Sequence, residues 1–209
     1  MPIDTGDIVG VLLAGGQSRR MGGGDKSLQH LAGRPILEHV IERVTGQVGC
    51  IVLNANGDPA RFDAYGLPVA PDVVAGQPGP LAGVLTGMTW AAAHMPAARW
   101  ILTVATDAPF VPRDLAHSLG RAIEDSGADL ACASSGGRRH PVIGLWPVAL
   151  AGALREALEV DGVRKVDRWT AQYDMAIADY PDDPVDPFFN VNKPEDVKAS
   201  ELLYNRHIR

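Results

Sequence analysis

The sequence predicts an α/β fold: a single doubly wound, mostly parallel sheet with helices on both faces. Three observations predict it. Short, continuous apolar runs, several of them β-branched, recur along the chain. Between them, apolar residues repeat at helical spacing. Glycine (23) and proline (16) are scattered as punctuation, with no break in composition to mark a second domain. Strands buried on both faces read as unbroken apolar runs, and parallel strands need crossovers, usually helical, to join them. The expected unit is one domain over residues 1–209, with its core at about residues 8–200.

The elements follow in order. Ile8 to Leu13 ends at a glycine cluster and is the first buried strand. Pro35 can occupy the first helical position, with Ile36, Leu37, Val40, Ile41 and Val44 forming one apolar face. Cys50 to Leu53 is a second strand, and Leu67-Pro68-Val69 a short edge. Leu81, Val84, Leu85 and Met88 repeat helically after Gly79-Pro80. Ile101 to Ala105 is a strand, and Leu115, Leu119, Ala122 and Ile123 form a helix between Pro112 and Gly127. Leu130 to Ala133 and Val142 to Trp146 are strands; Leu150, Leu154 and Leu158 make a helical stripe ending near Gly162. Met175 to Ala178 is the last strand. Pro194-Glu195-Asp196 opens the last helix, with acids in the turn where the helix dipole favours them.

Composition excludes several classes. The chain carries 19 Lys+Arg against 25 Asp+Glu, a net charge of −6, so a broad basic surface for nonspecific duplex binding is not expected. With 46% hydrophobic and 21% charged residues it has enough apolar content to fold. Cys50 and Cys132 are too few for a disulfide framework or a cysteine-rich zinc site, and are expected as buried free thiols. No run of about 18 apolar residues occurs, and the acidic N-terminus lacks the basic segment of a signal peptide. The expectation is a cytoplasmic protein with no membrane and no nucleic-acid partner.

The chemistry concentrates in the loop after the first strand, Leu13-Ala14-Gly15-Gly16-Gln17-Ser18-Arg19-Arg20-Met21-Gly22-Gly23-Gly24-Asp25-Lys26-Ser27. Loops at the carboxyl ends of parallel strands are where open α/β sheets bind ligands. Glycines let backbone amides approach an anion, and Arg19, Arg20 and Lys26 add charge-assisted donors, so the stretch describes a polyphosphate cradle. A Walker A loop needs Gly before Lys-Ser, where Asp25 stands, and the dinucleotide fingerprint is out of register. Asp107, just after Ile101 to Ala105, would face the same crevice and could hold Mg²⁺ against phosphate oxygens. Plainer roles exist for each feature: a flexible glycine loop, a turn aspartate before Pro109, turn residues at Asn54, Asn56 and Asp72, and a helix cap at Asn192. Arg138-Arg139-His140 is either a solvated hairpin tip or a reach toward an anion, and the four tryptophans are expected to pack rather than to stack on bases.

The opening block closely resembles the signature of the nucleotidyltransferases that include molybdenum cofactor guanylyltransferase, the MobA type. The likeness continues through Gly33 to Leu37, Val52 to Asn56, Pro71-Asp72, Gly79 to Gly83, Thr106 to Pro109, His140-Pro141 and Phe189 to Asn192, in family order. The resemblance implies a Rossmann-like nucleotidyltransferase fold. It implies that backbone groups at Leu13, Ala14 and Gly15 meet a guanine nucleotide and that Lys26 meets its phosphates. Asn54 and Asp72 would bind on the base and ribose side, and Asp107 would bind Mg²⁺. Asn190 and Asn192 would line the region that receives a pterin substrate, while Lys26, Arg19 and Asp107 would serve catalysis.

The activity so implied is transfer of GMP from GTP to molybdenum-molybdopterin, with pyrophosphate released. Other molybdenum-cofactor assembly proteins are implied as partners. The acceptor phosphate is already anionic, so the reaction needs cations and positioning rather than a nucleophile–base pair, in keeping with the residues present. The alternatives are a cytidylyl counterpart on the same cofactor, a sugar- or polyol-phosphate nucleotidyltransferase, and a non-catalytic nucleotide-binding protein of the same fold. A dinucleotide-dependent oxidoreductase is disfavoured by the glycine spacing.

Overall fold

The computed structural model describes residues 3–14, 26–76 and 79–207. Nine strands and six α-helices are found among these residues. The strands are β1 (Ile8–Leu13), β2 (His30–Leu31), β3 (Arg34–Pro35), β4 (Cys50–Asn54), β5 (Val69–Ala70), β6 (Trp100–Ala105), β7 (Leu130–Ser135), β8 (Arg138–Pro147) and β9 (Met175–Tyr180). The helices are α1 (Ile36–Val44), α2 (Pro80–His94), α3 (Leu115–Ser126), α4 (Ala151–Glu159), α5 (Val166–Thr170) and α6 (Pro194–His207).

Seven strands form one sheet in the order β5-β4-β1-β6-β8-β7-β9. All neighbours are parallel except β8, which runs antiparallel to both β6 and β7. The carboxyl ends of β1, β4, β5, β6, β7 and β9 therefore share one edge. The two faces are read from β1 itself. Ile8 and Leu12 pack with α1 and α3 residues such as Leu37, Val40 and Leu119, while Val9 and Val11 pack with α2 and α4 residues such as Val84, Met88 and Leu154. Alternate side chains of one strand thus feed two cores, the property that makes a strand apolar throughout.

Helix α2 is the most deeply seated. Leu81 to Met88 are all buried, so the helix carries no polar face there to orient it by amphipathicity. Its glycines orient it instead. A Cβ on Gly83 would stand 2.5 Å from Asn54 Oδ1 and 2.6 Å from Leu13 Cδ2, and one on Gly87 would stand 2.5 Å from Val11 Cγ2. One turn apart, the two glycines press α2 against the ends of β1 and β4.

The β7–β8 hairpin turns through Gly136 and Gly137, both at positive φ (54° and 73°), the backbone that two-residue hairpin turns demand. Further along, the register jumps from Cys132↔Gly144 to Ala133↔His140, so Pro141 to Ile143 bulge out of the ladder. Thr103 in β6 anchors the bulge: its Oγ1 donates to the Val142 carbonyl at 2.7 Å and accepts the Trp146 indole N–H at 2.7 Å.

The sheet carries the seven strands foreseen in the sequence, with helices on both faces. Three local differences have physical reasons. Pro35 is not the first helical residue; it pairs with His30 in the small β2–β3 hairpin, and the helix starts at Ile36, whose N–H donates to the Gln29 carbonyl. Short elements at Pro59–Tyr65, a 3₁₀ helix, and at α5 are too brief to show a period. Cys132 is buried and its thiol is pushed up to about 11 by desolvation, but Cys50 is only half-buried, since it opens β4 near the amino edge. Trp146 and Trp169 are buried packing residues, in line with the expectation.

Gly87→Val should lower the free energy of unfolding by roughly 1–3 kcal/mol, the usual cost of overpacking, because the added side chain meets Val11 and Ile101. Urea denaturation checks this; an unchanged midpoint would mean that α2 shifts freely on the sheet.

Candidate functional site

The chain makes its topological reversal at β1. From β1 it passes over one face through α1 to β4 and β5, then returns across the other face through α2 to β6, on the opposite side of β1. Crevices at such points receive ligands in open α/β sheets. Three strand ends are knitted together here. The Ala14 N–H donates to the Asn54 carbonyl at 2.9 Å. The Leu13 carbonyl accepts from the Thr106 N–H at 3.4 Å and from its hydroxyl at 3.2 Å. The glycine-rich loop leaves β1 from this junction. Gly15 and Arg19 lie outside the described residues, and only the backbone of Lys26 is described, at the start of a 3₁₀ turn, Lys26–Leu28.

On the β4 side stands a polar knot. Asn54, buried at 3% exposure, donates from Nδ2 to the Ala70 carbonyl at 3.1 Å and to Asp72 Oδ1 at 3.0 Å. Asn56 donates from Nδ2 to Asp72 Oδ2 at 2.8 Å, and its Oδ1 accepts the Asp72 N–H at 2.9 Å. Each carboxylate oxygen of Asp72 thus takes one amide proton and keeps capacity for another donor. Asn54 is therefore no loose turn residue: both its amide protons are engaged. Asn56 is the member of this knot whose role the sequence did not assign. The Asn54-Ala55-Asn56 spacing, which puts alternate side chains on one side of an extended chain, was the available signal.

On the β6 side, Asp107 is half-buried, and its carbonyl accepts the Val191 N–H at 2.9 Å. That bond draws Asn190 and Asn192 beside Asp107 although they are remote in sequence. Phe188 and Val191 are buried while Asn190 and Asn192 are exposed, so apolar plugs hold the strip and leave its asparagines facing outward. Asp196, in the first turn of α6, reaches back to the chain entering the helix, its Oδ2 accepting the backbone N–H groups of Asn192 and Lys193, each at 2.8 Å. Among the described residues no group of three or more His, Cys, Asp or Glu could enclose a metal. A single half-buried carboxylate suits a hard cation that keeps waters and takes its other ligands from substrate phosphates, the usual manner of Mg²⁺.

A second polar group lies further along the same edge. Ser135, 3% exposed, has its Oγ 2.8 Å from His140 Nε2 and donates to Asp186 Oδ1 at 2.7 Å. Asp186 Oδ1 also accepts the Phe188 N–H at 2.9 Å, and the Phe188 ring lies 4.8 Å from the His140 ring. Arg138 and Arg139 are exposed at the hairpin tip. Desolvation pushes the His140 pKa below its ordinary 6.5, with Asp186 opposing and Arg138 adding to the shift. Its unfolded pKa is then the higher one. As pH falls below about 6.5 the unfolded chain binds more protons than the folded one, so this residue subtracts stability on acidification until its folded pKa is passed. An NMR titration of the imidazole should give a folded pKa below 6.5; a value at or above it would remove the effect.

The profile of the MobA-like NTP transferase domain family matches residues 10–176. The molybdenum cofactor guanylyltransferase of Rhodopseudomonas palustris (strain BisB5) is 55% identical, over 95% of this chain and 95% of its own. That of Bradyrhizobium sp. (strain ORS 278) is also 55% identical, over 95% of this chain and 94% of its own. Among solved structures, molybdopterin-guanine dinucleotide biosynthesis protein A from Archaeoglobus fulgidus superposes with a TM-score of 0.73 at 22% identity, covering 95% of this chain and 99% of that one, a likeness of fold. Matched along most of its length by the family profile and by full-length relatives, the chain belongs to the MobA-like NTP transferase family.

Proposed function

We propose that the protein is a molybdenum cofactor guanylyltransferase: it transfers GMP from GTP to the terminal phosphate of molybdenum-molybdopterin, releases pyrophosphate and yields the guanine dinucleotide form of the cofactor. The observation that carries this is end-to-end identity of 55% with relatives of that name. The geometry is in keeping with it, with Asp72 held between two asparagines on the β4 side of β1 and Asp107 on the β6 side. The whole chain acts as one domain, in the cytoplasm, alongside other molybdenum-cofactor assembly proteins. Among the described residues no helix is long and apolar enough to cross a membrane.

In the reaction an oxygen of the acceptor phosphate bonds to the α-phosphorus of GTP as the bond from that phosphorus to the pyrophosphate oxygen breaks. The nucleophile is already anionic, so no residue needs to remove a proton. Asp72, fixed by Asn54 and Asn56, offers acceptors to nucleobase or ribose donors. The Ala14 N–H is engaged with Asn54, so backbone donors for the nucleotide at this loop come from Gly15 onward. Lys26 and Arg19 pair with the phosphates, and Asn190 and Asn192 receive the pterin substrate. Asp107 would hold Mg²⁺, and the ion would supply neutralisation of charge on the α-phosphate and leaving group.

Transfer of α-phosphate label from each of the four NTPs to molybdenum-molybdopterin tests this, with and without Mg²⁺. Product from GTP alone, dependent on the metal, is expected; product from CTP would overturn the base assignment, and none from any NTP would overturn the activity. Asp107→Asn and Lys26→Ala should each cut turnover by roughly 100-fold or more while leaving thermal unfolding near wild type. Undiminished turnover would remove the residue from the site.

A further inference from the structure

The Ser135–His140–Asp186 group lies outside the strand-end junction and is not used by the chemistry above. Its hydrogen bonds have a fixed direction. A serine hydroxyl has one proton, and here it goes to Asp186 Oδ1. His140 Nε2 must therefore carry a proton and donate it to Ser135 Oγ across the 2.8 Å contact. The chain of bonds runs from imidazole to hydroxyl to carboxylate, with the Phe188 N–H closing on the same carboxylate oxygen. This order excludes nucleophilic hydrolysis, in which histidine must accept the serine proton. The group is a fastening.

What it fastens is the strip that carries Asn190 and Asn192. Asp186 ties the start of that strip to the end of β7. Phe188 is seated between the His140 ring and the Tyr180 ring, at 4.8 and 5.4 Å. Five residues after Asp186, the Val191 N–H reaches the Asp107 carbonyl at 2.9 Å. The exposed Asn190 lies between two anchors, one on β7 and β8 and one at the proposed metal carboxylate. None of these bonds involves the Asn54–Asp72–Asn56 knot on the other side of β1.

We propose that Ser135, His140 and Asp186 form a latch that positions the Phe189–Asn192 strip against Asp107, and thereby governs affinity for the pterin-phosphate acceptor and not for GTP. The assignment of the acceptor rests on the guanylyltransferase reading; the latch itself rests on the bonds alone. All three are positioning residues, acting through the strip. The two-residue turn at Gly136 and Gly137 serves the latch, because it pairs Ser135 with Arg138 and Ala133 with His140 and so puts His140 on the same side of the hairpin as Ser135.

Two measurements on the full chain test this. Hydrogen exchange reads the latch without activity. In Ser135→Ala the amides of Phe188 and Val191 should exchange roughly tenfold faster, as expected for loss of one buried bond, with β1 and β4 unchanged. Ser135→Thr, which keeps the hydroxyl, should restore protection. Steady-state kinetics read its role: the acceptor KM should rise roughly tenfold with the GTP KM unchanged. If Ser135→Ala does not fold, Asp186→Ala replaces it, with Asp186→Asn as the rescuing variant because its amide oxygen can still accept. Unchanged exchange in the strip overturns the latch. Faster exchange with a changed GTP KM and an unchanged acceptor KM overturns the assignment to the acceptor. A wild-type protein that makes no product overturns the guanylyltransferase reading and with it the acceptor role, while the exchange result still decides the latch.

Discussion

The polar backbone groups where β1, β4 and β6 end satisfy one another, and the rest of the site depends on that junction. Ala14 gives its N–H to Asn54, and Leu13 takes both the N–H and the hydroxyl of Thr106. Backbone groups at a strand end lose their ladder partners, and burying them unpaired is costly. By pairing across three strands the chain fixes Asn54, the start of the glycine loop and Asp107 relative to one another before any ligand arrives. Preorganisation of that kind is what a reaction without a proton-transfer group requires, since its rate rests on placing charges and holding two anions in line.

The junction in turn requires α2 to come close. Gly83 leaves room for Asn54 Oδ1 and Leu13, and Gly87 leaves room for Val11. Larger side chains there would lift the helix from the sheet end. The Thr86 hydroxyl, on the same helix, accepts the Val73 N–H at 3.0 Å and so holds the segment that follows Asp72. Asn54 and the segment that follows Asp72 are therefore placed by a buried helix that touches both β1 and β4. The strip from Asp186 to Asn192 is organised separately, through the β7–β8 hairpin and the contacts of Asp186 and Phe188 with it.

Much of this was legible in the residues. The seven strands of the main sheet, the helices on both faces and the carboxyl-edge position of Asn54 and Asp107 follow from apolar runs and from where they stop. Asn56 was visible only as part of a spacing, since its task is to hold another side chain. His140 gave two equal readings from sequence. The structure shows a hairpin whose arginines are exposed and whose histidine turns back to Ser135, a contact between two strands that no single-strand pattern encodes. Pro35 was placed one step from its actual work, because a helix start can be satisfied by neighbours as well as by the residue in the favoured position.

By itself the sequence determined the fold class, the order of the elements, the resemblance to a nucleotidyltransferase family and the identity of the residues with chemistry to offer. These are local properties: periodicity, turn chemistry and short motifs are written in neighbouring residues. The tertiary structure alone decided that β8 runs against the other strands, that Asp72 is gripped by two asparagines, that Val191 binds Asp107, and that Ser135 joins His140 to Asp186. Each of these is a contact between elements far apart in the chain. Their partners are chosen by sheet order, by close approach of helix to sheet and by the need to satisfy buried polar groups, and none of these constraints exists until the chain has folded.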